Sequence, residues 1–185
     1  MKHFLAPLIV ALGATFGTAS LVHAEVLIGL SSARTGTHAW VGVNSEEGAE
    51  MAVADLNAKG GVLGEPIEMI TVDDYCEGDQ AIAAAKRLVA AKVAAAFGPL
   101  CSGAAIPASK VFAETGVLMI SPTATSPKLT EQGFRNVFRV VGRDDVQGKI
   151  AGDLLASRWG DKKIAILHDG QAYGKGLAEG TRKAE

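Results

Sequence analysis

Short apolar segments alternate with amphipathic segments from Val26 onward, and this alternation constrains the fold more than any other feature. The apolar segments have the length of β-strands, whereas the amphipathic segments have helical periodicity. A chain with this pattern folds as an α/β protein, with a doubly wound parallel sheet covered by helices on both faces. The predicted strands are Val26–Leu30, Ile67–Val72, Ala94–Phe97 and Val117–Ile120.

Three helices are predicted between these strands. The first takes Asn44 as its N-cap and Glu47 as the partner in a capping box, and it ends at Gly60-Gly61. Asp79 caps the second helix, and the third spans Ala104–Glu114. The residues expected to face the core are Ala49, Ala52, Val53 and Leu56 in the first helix, and Ile82, Ala85, Leu88 and Val89 in the second.

After the fourth strand, the chain is predicted to cross through Val137–Val141 to a helix that begins at Asp145. A strand over Ile164–Leu167 and a charged helix over Lys175–Glu185 follow. In the helix that begins at Asp145, the residues expected to be buried are Ile150, Leu154 and Leu155.

One strand and one helix after a crossover cannot bury a core of their own. We therefore expect residues 25–140 to form a first Rossmann-like lobe, and residues 141–185 to form the crossover and the start of a second lobe. This division indicates a piece of a longer, two-lobed protein. The alternative is a small complete domain with a ragged end.

The amino terminus has the pattern of a secretory signal peptide. Lys2 supplies a positive charge, Phe4–Val22 is apolar, and Val22-His23-Ala24 resembles a cleavage site. We expect residues 1–24 to be removed by cleavage after Ala24, so that the mature chain starts at Glu25. The alternative is a membrane anchor, which the glycine, threonine and serine residues within the apolar run disfavour.

The formal net charge of −2 gives no reason to expect a nucleic acid as partner. Aromatic residues make up only 5% of the chain, which disfavours a sugar-binding surface of stacked rings.

Cys76 and Cys101 are the only cysteines, and an exported protein meets an oxidising environment. Each follows a predicted strand, and neighbouring parallel strands would bring the two close enough to bridge. The alternatives are two free thiols or half of a metal site. A metal is disfavoured because the histidines, which are His3, His23, His38 and His168, offer no ligand spacing around the cysteines.

Two loops, Gly98–Ser102 and Ser121–Thr125, directly follow predicted strands and should emerge at the same carboxyl edge of the sheet. Ligands of open α/β sheets bind at that edge. The first loop leads into a helix, whose free amides and the Ser102 hydroxyl suit an anion. The second offers hydroxyls and carbonyls that suit a cation. Together they predict a site for a free amino acid.

Catalysis is disfavoured by the motifs. Ser102 lacks the flanking glycines of a nucleophile elbow, and His168 and Asp169 are adjacent in sequence, which is unhelpful for a proton relay. Neither a dinucleotide fingerprint nor a Walker loop is present. Asp73-Asp74 is more typical of a turn than of a metal pair. We expect no enzyme, no cofactor and no metal.

Several segments, in order and spacing, resemble the periplasmic leucine/isoleucine/valine-binding proteins of ABC importers. They are Gly48-Ala49-Glu50, Ala54–Gly61, Asp73-Asp74 with Cys76, Leu100-Cys101-Ser102, Ser121–Thr125, and His168-Asp169 with Tyr173-Gly174. The resemblance implies a periplasmic, monomeric, two-lobed protein of the type I binding fold that captures a free amino acid and delivers it to an ABC permease. Related proteins bind amides, urea or aromatic acids, and a sensor that reports its ligand to a receptor is an alternative function.

The resemblance also implies roles for single residues. Ser102 would hold the ligand carboxylate, Thr125 both the carboxylate and the ammonium, and Thr123 would act through its carbonyl. The apolar contacts would come from Ala124, Leu100, the Cys76–Cys101 bridge and, from the second lobe, Tyr173. Where the relatives place a tyrosine, this chain has Val41, preceded by Trp40, so the side-chain pocket differs. The acidic partner for the ammonium would lie beyond Glu185.

Overall fold

The computed structural model describes residues 25–183, so the predicted signal peptide lies outside the described residues. Five parallel strands form one sheet in the order β2-β1-β3-β4-β5. The strands are β1 (Val26–Ser32), β2 (Ile67–Asp73), β3 (Ala95–Phe97), β4 (Leu118–Ser121) and β5 (Val137–Arg139). The predicted α/β class with a parallel sheet is confirmed.

Five α-helices and one 3-10 turn at Pro127–Leu129 accompany the sheet in the described part of the chain. The helices are α1 (Ala39–Ala58), α2 (Gly78–Ala90), α3 (Ser102–Thr115), α4 (Asp144–Trp159) and α5 (Ala172–Lys183). Within residues 25–183, no helix combines the length and the apolar character needed to cross a bilayer.

The main core lies between the sheet and the helices α2 and α3. Leu88 of α2, Phe112 of α3 and Met119 of β4 are fully buried there. Small residues of the two helices, including Ala84 and Ala108, let the backbones approach this layer closely. The core therefore holds the carboxyl ends of β1, β3 and β4 in place, and these ends carry the loops of interest.

Helix α1 begins at Ala39, five residues before the predicted cap Asn44, so the predicted capping box is wrong. His38 is the N-cap residue and makes no side-chain capping bond, which is why no sequence signal marks this start. Gly42 is the only buried residue of α1. Its backbone lies so close to Ala33 that a Cβ at this position would be 1.8 Å from the Ala33 carbonyl oxygen. The predicted inner face of α1 is half-buried or exposed.

The segment Val137–Val141, predicted as a crossover, contains β5, which pairs in parallel with β4. The predicted strand Ile164–Leu167 is wrong, since this segment has no strand structure. A strand is held by ladder hydrogen bonds to a neighbour, and no strand of the described residues pairs with it.

Helices α4 and α5 pack through glycines instead of the predicted apolar stripe. Gly148 and Gly152 are buried, whereas Ile150 is 63% exposed and Leu154 46% exposed. A Cβ at Gly148 would meet the backbone carbonyl carbon of Gly180 at 2.9 Å, so the two helices are almost in backbone contact. The predicted burial of Ile150 and Leu154 is therefore wrong.

Candidate functional site

A cleft of about 270 Å³ lies at the carboxyl edge of the sheet. Six of the eight predicted ligand contacts line it, and both cysteines do as well. The six are Val41, Leu100, Ser102, Thr123, Thr125 and Tyr173. Residues separated by more than 130 positions in the chain thus meet at the sheet edge that the strand pattern predicts.

The other two predicted contacts lie elsewhere. Trp40 is 69% exposed on α1 and does not line the cleft. Ala124 is fully buried beneath the second loop. Its amide donates to Ser121 Oγ at 3.2 Å, and its carbonyl accepts from Arg139. The structure therefore places Ala124 behind the loop surface instead of in the cleft wall.

The first loop brings the amino-terminal end of α3 to the cleft. The first turn of a helix leaves amides without intrahelical partners, here those of Ser102 and Gly103. Gly98, with φ of +87°, permits the turn, because a Cβ there would lie 2.0 Å from the Ser31 carbonyl oxygen. This end of α3 is suited to an anion through both its amides and the helix dipole.

Three hydrogen bonds join the second loop and the residue that follows it to the first loop. The Ser121 hydroxyl donates to the Pro99 carbonyl at 2.6 Å, and the Thr123 hydroxyl donates to the Leu100 carbonyl at 2.7 Å. The Ser126 amide donates to Ser102 Oγ at 3.2 Å. Because Ser102 Oγ is the acceptor in this last bond, the proton of the Ser102 hydroxyl can be donated to a ligand. The two loops form one connected surface.

Arg139 holds the second loop from behind, a role that the sequence analysis missed. Its guanidinium donates to the carbonyls of Ala124 at 3.0 Å and Ser126 at 2.7 Å, and it also contacts the Thr130 hydroxyl. Burial lowers the pKa of Arg139. The only sequence signal is a charged residue within the apolar run Val137–Val141. Recognising this run as a strand would have placed Arg139 near its carboxyl end, and in the structure Arg139 lies opposite Ser121 of β4.

Asp73 and Asp74 serve the turn that follows β2. Asp74 is buried and accepts from the Ser31 hydroxyl at 2.7 Å and from the Cys76 amide at 2.9 Å. Burial raises the pKa of Asp74, although these hydrogen bonds act in the opposite direction. Burial also favours a higher pKa for Asp73, but hydrogen bonds, first from the Thr35 hydroxyl, outweigh it and lower this pKa. The geometry agrees with the turn interpretation of the pair.

The two cysteines meet above the end of β1. Strand β1 lies between β2 and β3, so the strands before the cysteines are not neighbours as predicted. The loops nevertheless bend toward each other and place the Cα atoms of Cys76 and Cys101 5.4 Å apart, in the range of disulfides. The sulfur atoms lie next to each other in the cleft wall.

The sequence profile of the family described as "Periplasmic binding protein" matches residues 25–184, which is most of the chain. The chain belongs to the periplasmic binding protein family. The resemblance that the sequence motifs indicate is thereby confirmed.

Curated relatives of this periplasmic binding protein are themselves binding proteins. An "Amino acid binding protein" of Pseudomonas aeruginosa is 43% identical over 95% of this chain and 47% of its own length. A Leu/Ile/Val-binding protein of Rhizobium johnstonii is 44% identical over 95% of this chain and 48% of its own length. The chain thus spans about half the length of these relatives. Their names describe binding, not catalysis.

A solved structure supports the fold assignment. The branched-chain amino acid transporter substrate-binding protein LivJ of Streptococcus pneumoniae, in complex with isoleucine, superimposes with a TM-score of 0.80 at 32% identity. The superposition covers 87% of this chain and 47% of LivJ. The type I periplasmic binding fold is therefore shown for the described part of the chain.

The segment before and within α5 supplies the far side of the cleft. Asp169, Gln171 and Tyr173 line it opposite the two loops, and Asp169 Oδ1 accepts from the Gln171 amide at 2.9 Å. His168 Nδ1 accepts from the Gly170 amide at 2.9 Å, so this nitrogen does not donate to Asp169. The arrangement gives no support to a serine, histidine and aspartate relay.

Proposed function

We propose that this chain captures a free amino acid with a branched aliphatic side chain in the cleft, as part of the substrate-binding component of an ABC importer. Delivery to the membrane permease completes this function. The observation that carries the proposal is the joined pair of loops, in which the amino-terminal end of α3 and Thr125 line the same cleft. The names of the relatives support the ligand class.

The carboxylate of the amino acid binds at the amino-terminal end of α3. A buried carboxylate loses its hydration, and the site replaces it with the Ser102 hydroxyl and with amides of the helix and of Thr125. These groups are neutral dipoles, so they bind the anion without placing a second full charge in the cleft. The Thr125 hydroxyl and the Thr123 carbonyl accept from the ammonium group.

The ligand side chain lies against an apolar wall. Val41, Leu100 and the adjacent sulfurs of Cys76 and Cys101 provide this wall, and Tyr173 covers the opposite side. The resemblance implies a tyrosine at the position of Val41, so the smaller valine leaves more room in this part of the cleft. We propose that the two cysteines are joined as a disulfide in the exported protein.

The remaining features of the proposal concern the whole protein. Residues 25–140 form the first lobe and residues 141–185 begin the second. The chain acts as a monomer in the periplasm after cleavage following Ala24. Further ligand contacts, including an acidic partner for the ammonium, come from the second lobe.

The test is calorimetric titration of leucine, isoleucine and valine into the protein encoded by the full reading frame, with the variants Ser102→Ala and Thr125→Val. Loss of one hydrogen bond to a charged group costs about 1.5–3 kcal/mol, or about tenfold or more in the dissociation constant. Ser157→Ala, an exposed serine of α4, is the matched control and should bind as the parent does.

An unchanged affinity in both cleft variants contradicts the proposed site. A thermal-shift screen of the common amino acids identifies the ligand, because only a bound ligand raises the melting temperature. If none of the three branched-chain amino acids raises it, the proposed ligand class is wrong.

A further inference from the structure

The imidazole of His38 lies at the wall of the cleft, although His38 is not one of the predicted ligand contacts. His38 directly precedes α1, and its carbonyl accepts from the Val41 amide at 3.0 Å, which closes the first turn. Residues three positions apart share one face of a helix, and both His38 and Val41 line the cleft. Trp40, between them, does not. The face of α1 that meets the cleft thus carries a polar side chain beside an apolar one.

His38 also lies close to the paired sulfurs of the cleft wall. One of its ring nitrogens and the sulfurs of Cys76 and Cys101 all lie within 4.8 Å of one another. Under the proposed function these sulfurs belong to the wall against which the ligand side chain lies. The imidazole therefore borders the part of the cleft that the ligand side chain occupies.

The ring nitrogens of His38 are accessible to a ligand. The side chain is exposed and makes no capping hydrogen bond to α1. A neutral imidazole has one donor and one acceptor nitrogen, whereas the aliphatic side chains of Val41 and Leu100 offer neither. Glu77 also lines the cleft, but an ionised carboxylate only accepts hydrogen bonds. His38 can hydrogen-bond to a hydroxyl or an amide in either direction.

We propose that His38 is a specificity-determining residue of the cleft, which hydrogen-bonds to a hydroxyl or amide group of the ligand side chain. This inference rests on the proposed function and widens its ligand class. Threonine has the shape of valine, and asparagine has the shape of leucine. A wholly apolar wall would bury their polar groups without a partner, at a cost in free energy. The imidazole replaces the lost hydration, so the cleft accepts these polar isosteres as well.

The experiment is calorimetric titration of two pairs, valine with threonine and leucine with asparagine, into the protein encoded by the full reading frame. Because shape is constant within a pair, the ratio of the polar to the apolar dissociation constant isolates the polar group. His38→Leu should raise this ratio by about two- to tenfold in at least one pair, the size of one hydrogen bond. Its affinity for valine and leucine should not fall, since their side chains form no hydrogen bond.

Trp40→Leu is the matched control. Trp40 is an exposed residue of the same helical turn that does not line the cleft, so this variant should keep the ratios of the parent. Unchanged ratios in both pairs for His38→Leu overturn the role of His38. A parallel loss of affinity for all four amino acids also overturns it, because such a loss reflects damage to the cleft instead of a lost hydrogen bond.

The same titrations separate this inference from the proposed function. If valine and leucine bind to the parent but neither threonine nor asparagine does, the inference is wrong and the proposed function stands. If none of the four amino acids binds to the parent, the proposed function fails, and the inference fails with it.

Discussion

The sheet with its helices α2 and α3 and the pair of helices α4 and α5 are built differently. The first region buries Leu88, Phe112 and Met119 completely in one continuous core. The second region joins its helices through Gly148 and Gly180, and leaves Leu154 and Ile150 exposed. We infer that a hydrophobic core stabilises the first region, whereas close backbone contact between α4 and α5 stabilises the second. Matched substitutions in the two regions test this contrast.

The largest effect is expected for leucine truncation. Leu88→Ala removes a fully buried side chain and leaves a cavity, so it should lower the free energy of unfolding by about 2–5 kcal/mol. Leu154→Ala removes a side chain that is already 46% exposed and should cost less than about 1 kcal/mol. Urea unfolding measures both. Equal losses would show that α4 and α5 share the core of the sheet.

A second prediction concerns the support of the cleft loop. Arg139→Met removes the donors to the Ala124 and Ser126 carbonyls and should destabilise the fold by about 1.5–3 kcal/mol. Amide exchange in residues 121–130 should also become faster. Arg143→Met, which breaks only the ion pairs with Glu131 and Asp145, should cost less than about 1 kcal/mol. Unchanged exchange in Arg139→Met would refute its supporting role.

The glycine contact gives the third prediction. A Cβ at Gly148 lies 2.9 Å from the Gly180 carbonyl carbon, so Gly148→Ala must push α4 and α5 apart, at a cost of about 1–3 kcal/mol. Gly176→Ala in α5 meets no atom within 4 Å and should be neutral or stabilising, because alanine favours helices. Thermal melts compare the pair. A neutral Gly148→Ala would contradict the close packing.

The smallest effect is a pH dependence at the start of α4. The Asp144 carboxylate is buried, and its oxygens have no hydrogen-bond partner among the described residues. Burial raises the pKa of Asp144 above 3.8, although Thr125 and Arg139 lie close enough to oppose the shift. The protonated carboxyl group of Asp144 stabilises the fold. This stabilisation is fully present when the pH is below 3.8, and it is lost as the pH rises through the folded-state pKa. Asp144→Asn should therefore gain stability relative to the parent as pH rises.

Asp145, the next residue, should show the opposite dependence of stability on pH. The hydrogen bond from Arg143 lowers the pKa of Asp145. The ionised carboxylate therefore stabilises the fold when the pH is above 3.8, and this stabilisation is lost as the pH falls through the folded-state pKa. Asp145→Asn should lose stability at neutral pH and match the parent in acid. Melting temperatures across the acid range measure both variants. The same pH trend in both would contradict the opposite environments of the two carboxyl groups.

The sequence predicted the first region better than the second for physical reasons. Strands β1 to β4 are short apolar runs that end in turn residues, so their positions and the two cleft loops could be inferred. The start of α1 could not, because His38 makes no capping bond while Asn44 and Glu47 mimic a capping box inside the helix. In α4, apolar periodicity predicted a buried stripe, but the closest packing goes through residues that lack side chains.

The candidate site was predicted only in part. Residues in the loops that follow strands, such as Ser102 and Thr125, could be assigned to the cleft from the pattern alone. Arg139 could not, because an arginine that donates to main-chain carbonyls leaves no motif. His38 comes to line the cleft only through the tertiary fold. Trp40 and Ala124 neighbour true cleft residues in sequence, but on a helix and in a tight loop adjacent residues point in different directions.

The carbonyl of Thr125 accepts a hydrogen bond of 3.1 Å from the Asp144 amide, which opens α4. One peptide unit thus connects the cleft surface to the base of the next helix. A tilt of α4 would strain this bond and move the Thr125 peptide. Under the proposed function, a solute held by Thr125 would resist that tilt by the same free energy with which the tilt would oppose binding.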